Sequence, residues 1–430
     1  MSSVEPVIVW TTTGPARDFS YASSRSCSKS DQVAGAAIPS YPHDLFTDEV
    51  LVDPYEHYRA LRALGPLVWL EAHQMYAITR YAEAKAALSD PTTYCSGKGV
   101  GLNDTINGLM AGRNLLMTDG ELHAHLRKVL GSSITPRALR HMEDTVVRLA
   151  EELVAGLVQL GAFDAVTDLA RALPLSVVPD LVGWPHEARA HLLEWAGASF
   201  DLLGPMNDRA RQAITTTQAM FRFATETATS GNLLPGSVGA RLIEAGRSGE
   251  LEADRVAPLI IGYLVPSLDT TISGIAGAVW LLARHPDQWN VLRSDPGLIP
   301  NTFNEALRLE SPIRVFGRTT TTATRVAAHE LPCDARLMIL YACANRDERH
   351  FENPDAFDVR RPNAGDQIGF GFGVHGCAGQ GLARMESHAL LGALISQVES
   401  IQLHDRPIRS LNNLIHGWTS LPVTVVGMQT

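Results

Sequence analysis

Phe370-Gly-Phe-Gly-Val-His-Gly-Cys-Ala-Gly379 is the stretch whose reading decides the fold of this 430-residue chain. Gly371, Gly373, Gly376 and Gly379 let the backbone turn tightly and approach a flat ligand without a Cβ in the way. The residues that follow Cys377, AGQGLARMESHALLGALI, carry the apolar spacing of an amphipathic helix. Cys377 therefore falls at a helix N-terminus, where unpaired N–H groups and the helix dipole stabilise a thiolate. A thiolate in that setting is a candidate axial ligand for iron. The alternative is a buried structural cysteine, but one cysteine among Gly, Phe and His at these offsets has few other uses.

The pattern Phe-Gly-x-Gly-x-His-x-Cys-x-Gly resembles the haem-binding loop of the cytochrome P-450 family, and the resemblance runs through the chain from residue 45 onward. It implies a mainly α fold with small β-sheets, with haem between a long central helix and the helix after the Cys loop. It also implies haem b as cofactor, O2 as co-substrate and Cys377 as the iron ligand, with Phe370, Gly371 and Gly379 around the cofactor. Thiolate donation to iron favours O–O cleavage.

Composition agrees with one large catalytic domain over 45–430. Hydrophobic residues make up 45% of the chain, enough for a large core. Residues 1–44, Ser-rich and without apolar periodicity, are expected to form a disordered arm. The formal charge of −10 with scattered cations argues against nucleic acid or an anionic membrane as partner. No apolar run approaches a membrane span, and Val7-Ile8-Val9-Trp10 lacks the basic flank and length of a signal peptide. The expectation is a cytoplasmic monomer. Cys27, Cys95, Cys333, Cys343 and Cys377 form neither an even framework nor a Cys-x-x-Cys pair, which fits a reducing compartment.

Helical periodicity is expected near 54–64, 81–89, 120–130, 136–160, 186–203, 209–229, 254–284, 300–310 and 378–398. Leu67–Leu70, Met75–Ile78, Ala335–Tyr341 and the Pro-Ile-Arg-Val-Phe-Gly-Arg-Thr stretch read as extended.

The family resemblance assigns further residues. Glu305 and Arg308, three apart on one helix face, resemble the family's Glu-x-x-Arg ion pair, joined by Arg361, with a structural role behind the Cys loop. His123 and Arg127, one helical turn apart, Arg318 and His375 match positions that neutralise the haem propionates. On the long apolar block ending at His285-Pro286, Asp269 and Thr270 match the acid–alcohol pair that delivers protons for O–O cleavage. The family's Ala-Gly before that pair is replaced by Pro266-Ser267. Pro266 has no N–H, so the Gly262 carbonyl should lose its helical partner and the helix should distort there, with Ser267 as a local hydrogen-bond participant.

A monooxygenase explains the Asp269-Thr270 pair; a peroxide-driven haem enzyme would usually lack it, and a haem sensor or carrier would need neither the pair nor an apolar pocket. Electrons should come from NAD(P)H through a separate ferredoxin and ferredoxin reductase, a fused reductase being the other arrangement. Lys128, Arg346, Arg349 and Arg384 are candidate contacts for an acidic ferredoxin. The stretches DPYEHYRALRALGPLV, DPTTYCSGKGVGLND, ESPIRVFGRTTT and LNNLIHGWTSLPV resemble bacterial members that demethylate para-methoxybenzoates. In those members basic and hydroxyl side chains hold the substrate carboxylate; here the corresponding helix positions read Ile261, Gly262 and Val265, and Lys98 alone could pair with an acid. A neutral methoxy-aromatic such as an alkylguaiacol is therefore expected, with a para-substituted benzoate as the alternative. Lys98, Phe200, Leu203, Ile261, Val265, Pro266, Ile313, Val315 and Phe316 are the pocket candidates.

Overall fold

The computed structural model describes residues 37–131 and 134–428, so most of the expected disordered arm lies outside the described residues. The described residues belong to one compact unit, Gly35–Thr430. The unit begins ahead of the expected start at 45: Ser40–Tyr41 pairs in parallel with Leu67–Leu70, and the buried Tyr41 bonds His57 Nδ1 through its hydroxyl at 2.6 Å. A two-residue strand carries no periodicity, which is why composition alone missed it.

Helices dominate, as expected, and most start and stop where the pattern places them. Asn207 accepts the Ala210 N–H and so caps Asp208–Ser230; Ser237 caps Val238–Ser248, a helix the sequence reading did not expect, in the same way through the Ala240 N–H. Two expected helices are interrupted. The first is Pro136–Leu139, a 3-10 turn over Arg140–Met142, then Glu143–Leu160; the second opens with a 3-10 segment, His186–His191, before Leu192–Leu203. Ala172–Val182 was not expected; it carries Pro179 in its interior and buries both Pro174 and Pro179.

The long block is one helix, Ala253–Arg284, and it organises the core. Ala172–Val182, Leu192–Leu203, Asp208–Ser230 and Ile299–Glu310 pack around it. Among the described residues it is the one helix long and apolar enough to cross a membrane, but it is mostly buried in the protein. A six-stranded mixed sheet lies to one side, in the order Ser40–Tyr41, Leu67–Leu70, Met75–Ile78, Arg336–Leu340, Val315–Thr320, Tyr94–Cys95. A three-stranded sheet joins Val398–Leu403, Pro422–Gly427 and Ala162–Asp164, a pairing across some 260 positions of sequence that no local pattern announces. Cys95, Cys343 and Cys377 are free thiols. Cys333 is disulfide-bonded, which corrects the reading of five reduced cysteines.

Candidate active site

The Cys loop is built from its own backbone. Cys377 N–H donates to the Phe370 carbonyl at 2.7 Å, and Gly376 N–H to that of Gly373 at 3.0 Å. Gly373 sits at φ +69°, and a Cβ there would stand 2.6 Å from the Leu88 carbonyl oxygen, so both the torsion and the close approach demand glycine. Gly379 precedes the Gln380–Gln397 helix, as the sequence implies. Burial pushes the Cys377 thiol up, and the N–H groups of Gly379 and Gln380 and the cations Arg127 and Arg384 act against that. Cys377, Phe370, Gly371 and Gly379 all line one cavity of about 320 Å³.

His123, Arg127, Arg318 and His375 reach the same cavity. The rings of His123 and His375 lie 4.2 Å apart, and His375 Nε2 meets Asp119 Oδ1 at 2.8 Å. Asp119, which the sequence reading passed over, also accepts Gly97 N–H at 2.5 Å. Arg127 Nη1 donates to the Gly376 carbonyl at 2.6 Å and so holds the Cys loop. Arg318 Nη1 donates to the Gly317 carbonyl at 2.7 Å. Burial, with Arg127 and His375 nearby, lowers His123 to about 4, and its Nε2 is buried with no partner. A buried unpartnered nitrogen and two guanidiniums beside a thiol fit the propionate edge of an iron porphyrin.

Behind the loop, Glu305, Arg308 and Arg361 meet in the interior. Arg308 donates to Glu305 through Nε at 2.7 Å and Nη2 at 2.8 Å, and Arg361 Nε reaches Glu305 Oε1 at 2.8 Å. The remaining guanidinium donors bond carbonyls of the 345–356 segment: Asn345, Pro354 and Ala356 for Arg308, and Glu352, Asn353 and Ala356 for Arg361. The triad ties the chain that leads into the Cys loop to the Ile299–Glu310 helix.

On the opposite wall the central helix presents Ile261, Val265, Pro266, Ser267, Thr270 and Thr271 to the cavity. Thr270 Oγ1 donates to the Pro266 carbonyl at 2.5 Å. Ser267 is a local hydrogen-bond participant as expected, but it donates to the Tyr263 carbonyl rather than to that of Gly262, and the helix continues through Pro266. Asp269 turns away from the cavity toward the Leu192–Leu203 helix, with its Oδ2 3.5 Å from where a Cβ on Gly197 would be. Burial raises it to about 7; Arg171 opposes this and Asp201 adds to it. Replacing Thr270 by Ala should leave ligand binding intact while reducing product formed per NADH consumed by roughly tenfold. Unchanged coupling would show that another group carries the protons.

Of the expected pocket residues, Phe200, Leu203, Ile261, Val265, Pro266, Ile313 and Phe316 line the cavity. Val315 does not: strand alternation turns it into the core while Phe316 faces the cavity. Lys98 does not either; its side chain is exposed and paired with Asp334. Met110, Leu115, Leu181, Met220 and Phe221 complete the wall, and nothing in their local sequence distinguishes them from core residues. Among the candidate docking cations, Lys128 and Arg349 are exposed and Arg384 is half-buried over the Phe370 ring. Arg346 is excluded: it is buried over Tyr55, bonded to the Leu309 carbonyl and paired with Asp355 at 2.9 Å.

Glu386 escaped the sequence reading altogether. It lies on the Gln380–Gln397 helix, fully buried, with neither carboxyl oxygen partnered. Burial raises it from 4.5 to about 8. Its folded-state pKa lies above the unfolded one, so the stability it permits is complete below pH 4.5 and declines as pH rises to about 8. Glu386→Gln should therefore flatten the fall in melting temperature across that window. An equally steep fall in the variant would rule the assignment out.

A family model described as Cytochrome P450 matches residues 297–422. The chain is 37% identical over 392 residues to cytochrome p450 CYP199A2 of Rhodopseudomonas palustris, covering 90% of this chain and 95% of that one. It is 29% identical to a beta-dihydromenaquinone-9 omega-hydroxylase of Mycobacterium bovis, over 89% of this chain and 78% of that one. The solved structure of cytochrome P450 CYP109Q5 from Chondromyces apiculatus superposes with a TM-score of 0.76 at 26% identity, covering 90% of this chain and 99% of that one. A cavity that joins a loop thiol to four convergent basic side chains, together with these likenesses, shows that the chain belongs to the cytochrome P450 family of monooxygenases, with haem b as cofactor, O2 as co-substrate and electrons from redox partners.

Proposed function

We propose that this monooxygenase O-demethylates a small neutral methoxy-aromatic, such as guaiacol with a para alkyl chain, to a phenol and formaldehyde. The observation that carries the reading is the chemistry of the cavity wall. Among the described residues its only basic side chains are His123, Arg127, Arg318 and His375, all assigned to the cofactor, and no Lys, Asp or Glu lines it. Lys98, the one residue that could have anchored a substrate carboxylate, points outside. An acid placed against Ile261 and Val265 would find neutral donors on the wall, such as the unpartnered Thr217 hydroxyl, but no cation of its own, and burying its charge would cost several kcal/mol.

Haem, once bound, supplies thiolate-assisted cleavage of O2. Cys377 would be its ligand, His123, Arg127, Arg318 and His375 would hold the propionates, and Phe370, Gly371 and Gly379 would lie around it. The Glu305, Arg308 and Arg361 triad keeps the loop in place. Phe200, Leu203, Ile313 and Phe316 wall in the aromatic ring and exclude water. Thr270, backed by Asp269, holds the proton needed on the oxygen side. Two electrons and two protons enter with each O2; one oxygen atom goes to the methyl carbon and the other leaves as water. The resulting hemiacetal collapses to phenol and formaldehyde. Electrons reach the site from a ferredoxin docked near Lys128, Arg349 and Arg384, and the enzyme works as a cytoplasmic monomer.

The test is a spin-state titration of the ferric protein, with formaldehyde measured in turnover. Burying a three-carbon tail favours binding by about 2 kcal/mol. 4-Propylguaiacol should therefore bind more than tenfold tighter than para-methoxybenzoate and release formaldehyde. Tighter binding and a larger high-spin shift with para-methoxybenzoate would make this an aromatic-acid demethylase instead.

A further inference from the structure

Asp269 is an awkward proton donor if it stands alone. It faces away from the cavity, and among the described residues no donor hydrogen-bonds it, so a proton it gives to the Thr270 side must be replaced from the other side. That side is the Leu192–Leu203 helix. Gly197 lies against Asp269 Oδ2, and Asp201 follows one helical turn later on the same face. Asp201 and Asp269 are both half-buried, and Asp269 is the more closely surrounded by protein atoms. One oxygen of Asp201 accepts Asn413 N–H at 2.8 Å. Among the described residues no donor holds the other.

We infer that Asp201 is the outer station of a carboxyl pair, taking protons from solvent and passing them to Asp269, which renews the proton used at Thr270. The inference rests on Asp269 and Thr270 being the acid–alcohol pair. Each transfer moves one proton inward and returns Asp201 to its starting state, so two passages serve each O2 reduced. Asp201 touches no reacting atom; it acts through Asp269 and is a positioning residue for that carboxyl and its proton.

The charged neighbours agree with this role. Arg171, between the 165–170 turn and the Ala172–Val182 helix, faces Asp269, and Arg314 faces Asp201. Burial lifts Asp201 to about 6, although Arg314 and the Asn413 N–H oppose the shift, and its charge in turn raises Asp269. Two acids that both exchange protons near neutral pH can hand a proton on with little penalty in either direction.

Asp201 also has a structural alternative, since it ties the 412–413 segment to the helix: Asn413 Nδ2 donates to the Asp201 carbonyl and Asn412 Nδ2 to that of Gly197. Asp201→Asn separates the two roles. The amide oxygen can still accept Asn413 N–H, but the side chain carries no exchangeable acid. The experiment compares wild type, Asp201→Asn, Asp201→Glu and Asp269→Asn as haem-loaded proteins with a bacterial ferredoxin and its reductase. The probe is whichever of 4-propylguaiacol and para-methoxybenzoate gives the larger high-spin shift. In Asp201→Asn, kcat should fall roughly tenfold with KM and the ferrous-carbonyl band unchanged. The rate should also decline as pH rises from 6 to 8, where wild type is nearly level, and the solvent isotope effect should grow. Asp201→Glu should restore most of the rate. Wild-type kcat and pH profile in Asp201→Asn, with Asp269→Asn slowed, would overturn the relay alone. No effect in either variant would overturn the acid–alcohol assignment and the relay with it. A loss that Asp201→Glu does not rescue would mark Asp201 as structural and also overturn the proposal.

Discussion

Cys377→His is expected to abolish the red-shifted ferrous-carbonyl band and all oxygenase turnover. Among the described residues no other cysteine lines the cavity. Cys95 and Cys343 are buried and absent from the cavity wall, and burial holds the Cys343 thiol up at about 12. The loop torsions at Gly371 and Gly373 do not depend on the side chain at 377, and the Cys377 N–H bond to the Phe370 carbonyl is made by backbone. The variant should therefore fold, and imidazole can still ligate iron. What it cannot supply is the electron-rich sulfur that weakens the O–O bond. The measurement is the reduced carbonyl spectrum beside formaldehyde release. A thiolate-type band in the variant would sink the assignment.

Glu305→Ala is expected to be nearly as damaging, through stability rather than chemistry. It leaves two interior guanidiniums, Arg308 fully buried and Arg361 nearly so, without their shared carboxylate. Removing one partner of a buried pair costs about 3–5 kcal/mol, because the remaining charge is uncompensated. The cost falls on the segment that leads into the Cys loop, since the same guanidiniums bond the carbonyls of Asn345, Glu352, Asn353, Pro354 and Ala356. The variant should accumulate with little bound haem and melt well below wild type. Near-stoichiometric haem and an unchanged melting temperature would show that the triad is dispensable. Glu305→Gln should be intermediate, since it keeps an acceptor but loses the charge.

The proton path and the pocket respond to different variants. Thr270→Ala and Asp201→Asn should change what becomes of electrons and protons, whereas on the proposed reading the choice between a neutral ether and an acid should depend on Ile261, Val265 and the outward-facing Lys98. Selectivity and coupling should therefore vary independently.

The sequence by itself determined the Cys loop, the family likeness and the elements that frame the cavity. The spacing of glycines around Cys377, the His123 and Arg127 pair, Glu305 with Arg308, and the length of the central helix are all local patterns, and local patterns are what periodicity and motif spacing report. Tertiary structure decided which face each of these residues shows. Lys98 follows a strand end, and the pairing of its neighbour Gly97 with Asp119 and its own with Asp334 turns it to solvent. Arg346 looks like a surface cation but is sealed over Tyr55. Asp201, Asp119 and Glu386 acquire their character from elements 22 to 256 positions away, as with Asp119 against Gly97 and His375. Burial and proximity set a side chain's solvation and partners, and both are sums over the whole packed chain that no window of sequence contains.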